Sequence, residues 1–273
     1  MATPDYLAWP DQHLSPAVAT NYDASVSDRF SADAVGPVVD VLAEFAGNGP
    51  AVEFAVGTGR LALPLAETGA VVLGIDFSEA MLDELKKKDG ADRISLTLGD
   101  MTETLVCADA SLVYLVFNTI GNLRTQQQQV ACFRNAAAHL RPGGRFVIEN
   151  MVPNLFGLSA GESIRPFDVS PHHLGFDEFV DRVNQILVSH HYFFDGRGRV
   201  VNGGIGVEPE VEQPIRRGDR VRTVSGAFRY VWPSELDLMA ELAGLTFESR
   251  WADWHGSPLT DASTSHVSVW RKP

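Results

Sequence analysis

Residues 52–60 read Val-Glu-Phe-Ala-Val-Gly-Thr-Gly-Arg, and this stretch decides the fold. Its first five residues belong to an apolar run over residues 51–56, and a pattern typical of a helix follows over residues 61–67. Glycine is favoured where the backbone takes a positive φ or must approach a ligand closely. The stretch therefore predicts a strand, a tight glycine turn and a helix, which together begin an α/β fold.

The same alternation continues on both sides of this stretch. Apolar runs predict further strands at residues 70–75, 94–98, 111–117 and 145–149. Helical spacing predicts helices at residues 33–46, 79–87 and 126–140, with Ser78 as the N-cap of the second. Continuous apolar strands that alternate with helices predict a parallel sheet covered by helices on both faces. We expect a ligand at the carboxyl ends of these strands.

The pattern changes after Asn150. Residues 154–181 show no clear period, and residues 182–194, 199–207 and 220–230 have the pattern of antiparallel strands. A helix at 232–242 and two strands at 245–251 and 266–271 restore the earlier alternation. We therefore predict an N-terminal segment over 1–32, whose first 20 residues form an arm with little core. The central α/β domain comprises 33–153 and 231–273, and a β-rich insertion covers 154–230.

The composition excludes several classes of protein. The 273 residues carry a net charge of −13, which argues against a surface that binds phosphate backbones. Cys107 and Cys132 are the only cysteines, so a disulfide framework is excluded and a reducing cytoplasm is expected. The first 11 residues lack the basic region of a secretory signal, and no apolar run approaches the roughly 20 residues of a membrane helix. We predict a cytoplasmic protein without nucleic-acid or membrane partners.

The glycine turn alone leaves two cofactor classes open. Gly57-x-Gly59-x-x-Ala62 fits a relaxed dinucleotide fingerprint, so NAD(P) must be considered. Glu53, four residues before Gly57, would repel a pyrophosphate over the turn. The same carboxylate would attract a cofactor that carries an amino group and a sulfonium but no phosphate.

The ends of the next two strands also carry acids. Asp76 can accept hydrogen bonds from the two hydroxyls of a ribose, which either cofactor offers. Asp100 can accept from the exocyclic amine of an adenine, and Met101 or Phe77 can supply an apolar face for its ring.

These residues form a series that resembles the class I S-adenosylmethionine-dependent methyltransferases. The series comprises Glu53 with Gly57-Thr58-Gly59, residues 74–81 (Gly-Ile-Asp-Phe-Ser-Glu-Ala-Met), Gly99-Asp100-Met101 and residues 140–144 (Leu-Arg-Pro-Gly-Gly). The resemblance implies a Rossmann-like, seven-stranded sheet with one antiparallel strand and helices on both faces. It implies S-adenosylmethionine (SAM) as cofactor and S-adenosylhomocysteine as product.

The N-terminal segment resembles a narrower group. Asn21-Tyr22-Asp23 and Arg29-Phe30 are similar to a helix of small-molecule methyltransferases, including amino-sugar N-methyltransferases, in which a tyrosine and a basic residue close over the cofactor as a lid. Those sugar enzymes commonly carry a histidine where this chain reads Ile120-Gly121-Asn122. The two resemblances, together with the position of Phe117 after the fourth strand, give twelve expected cofactor-binding residues: Tyr22, Arg29, Glu53, Gly57, Thr58, Gly59, Asp76, Phe77, Met81, Asp100, Met101 and Phe117.

The chemistry of methyl transfer directs attention to the end of the fourth strand. The reaction is an in-line displacement in which the enzyme positions the nucleophile, excludes water and in some cases removes a proton. Phe117 and Asn118 are expected where the methyl group meets the acceptor, and we take Asn118 and His191 as the candidate catalytic residues. His190 and His191 would point to opposite faces of a strand. No metal is expected, although Glu149 with two histidines would be the alternative ligand set.

The sequence thus predicts an enzyme that methylates N, O or C of a small, natural-product-like acceptor, with the insertion as the acceptor-binding lid. A homodimer is left open as its assembly. Two other functions also stay open: a regulatory protein that binds SAM without transferring its methyl group, and an NAD(P)-dependent oxidoreductase. Against the oxidoreductase stand Glu53 and the absence of a Tyr-x-x-x-Lys pair.

Overall fold

A computed structural model of the chain describes residues 15–155, 158–159, 161–170, 173–194 and 221–273. The helices within these ranges are α1 (Pro16–Ser25), α2 (Ala32–Ala46), α3 (Ala62–Glu67), α4 (Glu79–Lys86), α5 (Gln126–His139) and α6 (Pro233–Leu242). The strands are β1 (Ala51–Phe54), β2 (Val72–Asp76), β3 (Ile94–Leu98), β4 (Ala110–Leu115), β5 (Leu140–Met151), β6 (Ile164–Val169), β7 (His173–Asp181), β8 (Ile186–Phe194), β9 (Val221–Arg229), β10 (Thr246–Trp251) and β11 (Ser265–Arg271).

The larger sheet has seven strands in the order β10-β11-β5-β4-β1-β2-β3. Strands β1 to β5 pair in parallel, and β11 runs antiparallel to both β5 and β10. Every residue of β1 and β4 is buried, because helices cover both faces of the sheet. The predicted Rossmann-like sheet with one antiparallel strand is confirmed.

Each face of this sheet has its own apolar core. On one face, α2, α3 and α4 contribute Leu42, Leu65 and Leu85, all fully buried. On the other, α5 and α6 contribute Phe133 and Met239. The continuous apolar strands of the sequence are thus explained, since both faces of each central strand are covered.

The smaller sheet has four antiparallel strands in the order β6-β7-β8-β9. This confirms the antiparallel nature of the insertion, and it shows two strands, β6 and β7, within residues 154–181, where the sequence had no clear period. Strand β6 is mostly exposed on both sides, so its sequence has no alternation that would reveal it. The predicted strand at 182–194 begins only at Ile186, because the Asp181 side chain accepts from Val183 N and Asn184 N in a turn. The predicted strand at 199–207 lies outside the described residues.

Arg229 attaches the smaller sheet to the helices of the larger one. Its guanidinium donates to Gln129 of α5 at 2.5 Å, to Glu235 of α6 at 2.6 Å and to Gln185 at 2.8 Å. The side chain is only 4% exposed. The two sheets are therefore joined by a buried, fully paired cation.

Two other segments differ from the prediction. Residues 16–20, predicted as part of an arm, lie in α1, where Ala19 is buried. The strand predicted at 145–149 begins earlier, at Leu140 of β5, because Gly143 N donates to Lys272 O and Lys272 N donates to Gly144 O at 2.8 Å each.

Both cysteines are free thiols. Among the residues that the structure describes, no helix is both long and apolar enough to cross a bilayer.

Candidate functional site

The glycine turn after β1 takes the backbone conformation that the sequence predicted. Gly57 and Gly59 have φ of +55° and +84°, in the left-handed region that glycine tolerates best. A Cβ on Gly59 would lie 2.9 Å from Cγ of Leu85. The turn thus brings its backbone close to α4 as well as to the carboxyl edge of the sheet.

Asp76, at the end of β2, holds this turn in place. One carboxylate oxygen accepts from Gly57 N at 2.7 Å, and the other accepts from Ser78 N at 2.7 Å. The side chain is only 8% exposed. Because each carboxylate oxygen has a second lone pair, Asp76 can still accept from the paired hydroxyls of a ribose.

Glu53 is buried within β1, and burial raises the pKa of its carboxyl to about 8. Two contacts oppose that shift: the Tyr114 hydroxyl donates to Oε2 at 2.9 Å, and the positive charge of Arg60 acts on the carboxylate. Burial also raises the pKa of Tyr114. A buried acid without a full counter-charge is costly, so this carboxyl favours a cationic group brought close to it.

The third acid lies after β3. Asp100 Oδ1 accepts from Thr102 N at 2.7 Å, which closes the turn that follows the strand. Met101 packs partly against the apolar core. Phe77, directly after Asp76, is 60% exposed and offers a free ring face at the sheet edge. Met81 is buried in the first turn of α4.

Helix α1 is tied directly to the glycine turn. Asp23 accepts from the Thr58 hydroxyl at 2.5 Å and forms an ion pair with Lys88. Lys88 also donates to the Thr58 carbonyl at 2.7 Å. Tyr22 of the same helix is partly buried, and burial raises the pKa of its hydroxyl, with the charges of Arg60 and Asp76 both acting on it. Tyr22 and Thr58, both predicted to bind the cofactor, therefore lie close together at the glycine turn.

The turn after β4 has a strained backbone. Phe117 and Asn118 both have φ of +60°, which is rare in consecutive residues that are not glycine. Glu149 of β5 holds them: its carboxylate accepts from Phe117 N at 3.1 Å, and its carbonyl accepts from Asn118 N at 3.3 Å. Such strain persists only where surrounding contacts enforce it, and it is typical of functional sites.

Two arginines from different elements lie over the Phe117 ring. Arg29, in the short turn after α1, and Arg60, in the glycine turn, each have Cζ at 5.4 Å from the ring centroid. Trp251 and Trp254 pack against the same apolar core as Phe117. The predicted Arg29 and Phe117 are thus brought together, and Arg60 connects them to the glycine turn.

His191 lies elsewhere, on β8 of the smaller sheet. Its Nδ1 is 3.1 Å from Nε2 of His173, and its Nε2 is 3.4 Å from the Ser189 hydroxyl. His190 points to the opposite face, where its Nδ1 is 2.9 Å from the Ser225 hydroxyl. Within the described ranges, no group of three or more His, Cys, Asp or Glu side chains could hold a metal ion.

Four residues were not among the predicted site residues: Asp23, Arg60, Tyr114 and Glu149. Of these, Glu149 had a usable signal, because an acid at the end of an apolar strand beside β4 must lie at the same edge as Asp76. The other three depend on contacts between distant segments, which spacing does not reveal.

Known methyltransferases are similar to this chain in sequence and fold. Residues 51–144 match a methyltransferase domain. The cypemycin N-terminal methyltransferase of a Streptomyces species is 29% identical over 265 residues, which is 90% of this chain and 98% of that protein. The CcbJ methyltransferase of Streptomyces caelestis is 28% identical, with a TM-score of 0.74 over 94% of this chain and 99% of that one.

A third relative was solved with its cofactor. It is CalS10, an amino pentose methyltransferase from Micromonospora echinaspora with SAM bound. Its TM-score is 0.66 over 92% of this chain and 96% of that chain, at 17% identity, which shows the shared fold. The strand-end acids, the glycine turn and these relatives together support an S-adenosylmethionine-dependent methyltransferase.

Proposed function

We propose that this enzyme transfers the methyl group of SAM to an amino group of a small, natural-product-like acceptor. The observation that carries the proposal is the contact of Arg60 with the Phe117 ring, which brings the glycine turn and the turn after β4 to one place. The choice of nitrogen is supported by the name of the relative that aligns over 98% of its length, an N-terminal methyltransferase.

Each residue at the cofactor site would bind a different part of SAM. Asp76 would accept from the ribose hydroxyls, and Asp100 with Phe77 and Met101 would take the adenine. Glu53 would face the ammonium of the methionine part, and Gly57 and Gly59 would give its chain room to approach the backbone. Met81 and Thr58 would support these residues from behind, because Met81 is buried and the Thr58 hydroxyl donates to Asp23.

Helix α1 would serve as the lid over the cofactor. Its support is the contact of Asp23 with Thr58 and Lys88, together with the place of Tyr22 beside Arg60 and Asp76. A lid excludes water from a sulfonium that water would otherwise attack.

The bound cofactor supplies a methyl group on a positively charged sulfur, which a nucleophile can displace in line. Phe117 and Asn118 would orient the acceptor amine, because Glu149 fixes the backbone of both residues. Trp254, which packs on the same core as Phe117, would add an apolar wall. Positioning of this kind supplies much of the rate in such displacements.

The test is label transfer from methyl-labelled SAM to pairs of acceptors that differ in one group. Each pair has the same scaffold with either an amino or a hydroxyl group, and it includes amino sugars and short peptides with free N-termini. We expect transfer to the amino members only, and much less of it with the Asp76→Ala variant at a SAM concentration near the wild-type Kd. Transfer to the hydroxyl members alone would overturn the proposal, whereas tight SAM binding without any transfer would favour a regulatory role.

A further inference from the structure

The carboxylate of Glu149, near the end of β5, is only half used by the protein. Its Oε2 accepts from Phe117 N at 3.1 Å. Within the part of the chain that the structure describes, Oε1 has no hydrogen-bond partner and the carboxylate takes part in no ion pair. Oε1 is also not enclosed by protein, since it is not one of the buried polar atoms without a partner. One carboxylate oxygen therefore remains free to bind a ligand.

The surroundings of this carboxylate within the sheet are apolar. Glu149 lies opposite Val267 of β11, and Val267 lies opposite Trp251 of β10. Residues directly opposite each other point to the same face of a sheet. On this face Val267 belongs to the apolar core against which Trp251 and Phe117 pack. In such surroundings a negative charge attracts a cation more strongly than it would in water.

The strand register places Glu149 relative to Glu53. Tyr114 of β4 lies opposite both Glu53 of β1 and Val147 of β5. Glu149 is two residues after Val147, so it points to the same face as Glu53, two strands away and nearer the carboxyl edge. The usual spacings of a sheet put the two Cα atoms about 12 Å apart. Glu149 thus stands beyond Glu53, on the side of the turn where the acceptor is expected.

The cations at this turn do not neutralise Glu149. Arg29 and Arg60 lie over the ring of Phe117, with Cζ at 5.4 Å from its centroid. The charge of Arg60 also acts on Glu53 and Tyr22, both of which belong to the expected cofactor site. Asn118, which follows Phe117, is exposed and uncharged. An amine at the turn would therefore find one anionic group without a cationic partner.

We propose that the Glu149 carboxylate binds the acceptor amine and stabilises the positive charge that its nitrogen gains during methyl transfer. This inference rests on the proposed N-methylation. The lone pair of the neutral amine bonds to the methyl carbon, while the carbon–sulfur bond breaks and its electron pair stays on sulfur. The positive charge thus moves from sulfur to nitrogen, and the methylated ammonium gives its proton to water after release.

Oε1 would accept an N–H of the amine throughout this step. The interaction becomes stronger as nitrogen becomes positive, so it lowers the energy of the transition state more than that of the bound substrate. Primary and secondary amines fit this arrangement, because they carry both a lone pair for the methyl carbon and an N–H for Oε1. The hydrogen bond from Phe117 N to Oε2 would hold the carboxylate in place.

The test uses Glu149→Gln, with Glu248→Gln as the matched control. The glutamine can still accept from Phe117 N, so the turn is kept and only the charge is removed. Glu248 also lies in the seven-stranded sheet, on the edge strand β10, where it pairs with Arg145. Its replacement removes the same charge away from the turn.

The probe is the amine, among the amino sugars and short peptides of the label-transfer experiment, that wild type methylates fastest. Measured are kcat and KM for this amine and the Kd for SAM. Calorimetry with S-adenosylhomocysteine present gives the Kd of the methylated amine, which is cationic at pH 7, and of its uncharged N-acetyl derivative.

We expect kcat of Glu149→Gln to fall about tenfold to 100-fold, with the Kd for SAM unchanged. Binding of the cationic product should weaken about tenfold, whereas binding of the N-acetyl derivative should stay the same. Glu248→Gln should match wild type in every measurement. A residue that only holds the turn would affect the charged and the uncharged ligand equally.

Three results would overturn the inference: unchanged kcat in Glu149→Gln, an equal loss in Glu248→Gln, or equal weakening of the cationic and the uncharged ligand. If Glu149→Gln does not fold, wild type carries the test: it should bind the cationic product at least tenfold more tightly than the N-acetyl derivative, and equal affinities would overturn the inference. Wild type that methylates only oxygen would instead overturn the proposed function, and this inference with it.

Discussion

The two sheets of this protein place their polar side chains in different ways. In the seven-stranded sheet, β1 and β4 are buried throughout, and the functional acids stand at or near strand ends. In the four-stranded sheet, β6 is exposed almost everywhere, and Asp168, His173 and His191 form a hydrogen-bonded row on one face. The first sheet thus concentrates its candidate cofactor-binding groups at one edge, whereas the second spreads its polar groups over a surface. Cofactor binding and acceptor chemistry should therefore respond to different substitutions.

The largest effect is expected where the two sheets are joined. Arg229→Ala removes a buried cation and leaves Glu235, whose side chain is 15% exposed, without its ion-pair partner. Breaking a buried pair in this way costs about 3 kcal/mol. We expect the free energy of unfolding in urea to fall by that amount. Lys86→Ala, which removes an exposed pair with Asp83, should change it by less than about 0.5 kcal/mol. Equal effects of the two variants would contradict the assigned junction.

Asp76→Ala should weaken SAM binding at the carboxyl edge of the seven-stranded sheet. The change leaves Gly57 N and Ser78 N without their acceptor and removes the expected ribose contact. We expect the Kd for SAM, measured by calorimetry, to rise about 100-fold. This is the effect of losing the two expected hydrogen bonds from the ribose hydroxyls to the carboxylate, at about 1.5 kcal/mol each. Asp40→Ala, on the exposed side of α2, serves as control and should leave the Kd unchanged. A Kd within threefold of wild type in Asp76→Ala would exclude the ribose role.

The raised pKa of Glu53 predicts a pH dependence. The pKa is about 8 in the folded protein, against an ordinary value of 4.5, so the folded state binds a proton that the unfolded chain has lost. The stability from this group is complete below pH 4.5 and is lost as pH rises to about 8.

A cation beside Glu53 favours the ionised form, so SAM should bind about tenfold more tightly at pH 7.5 than at pH 6. Glu53→Gln, which can still accept from Tyr114, should remove this dependence from calorimetric titrations. A slope that persists in Glu53→Gln would assign it to another group.

The smallest effect concerns the attachment of α1. Thr58→Val removes the hydroxyl that donates to Asp23 and keeps the shape of the side chain. One hydrogen bond of this kind is worth about 1 kcal/mol, so we expect SAM to dissociate about threefold to fivefold faster in stopped-flow measurements. Thr68→Val, which loses a bond to the Leu65 carbonyl after α3, should dissociate at the wild-type rate. Identical rates in both variants would argue against a lid.

Most of the seven-stranded sheet could be predicted because both of its faces are covered. Continuous apolar runs ended by Gly57, Asp76 and Asp100 located β1, β2 and β3, and the strand-end acids followed from them. The smaller sheet was harder to predict, since β6 buries neither face fully and β7 buries only two positions. An exposed strand leaves no periodic signal in its sequence.

Site residues could be predicted where they follow a predicted strand, but the contacts between them could not. Phe117 and Asn118 could be proposed as site residues because they follow a buried strand. That Glu149 holds both in a left-handed conformation could not be read from spacing, since it depends on the register of β4 with β5. The contact of His191 with His173 likewise depends on the pairing of β7 with β8.

The most direct test of the central claim is the identity of the atom that receives the methyl group. The enzyme would be incubated with SAM that carries a ¹³C methyl group and with ¹⁵N-labelled amines, and the products examined by NMR. We predict a new methyl carbon coupled to ¹⁵N, formed by wild type and strongly reduced with Asp76→Ala at a SAM concentration near the wild-type Kd. A labelled methyl carbon bonded to oxygen or carbon, with no coupling to nitrogen in any acceptor, would contradict the account.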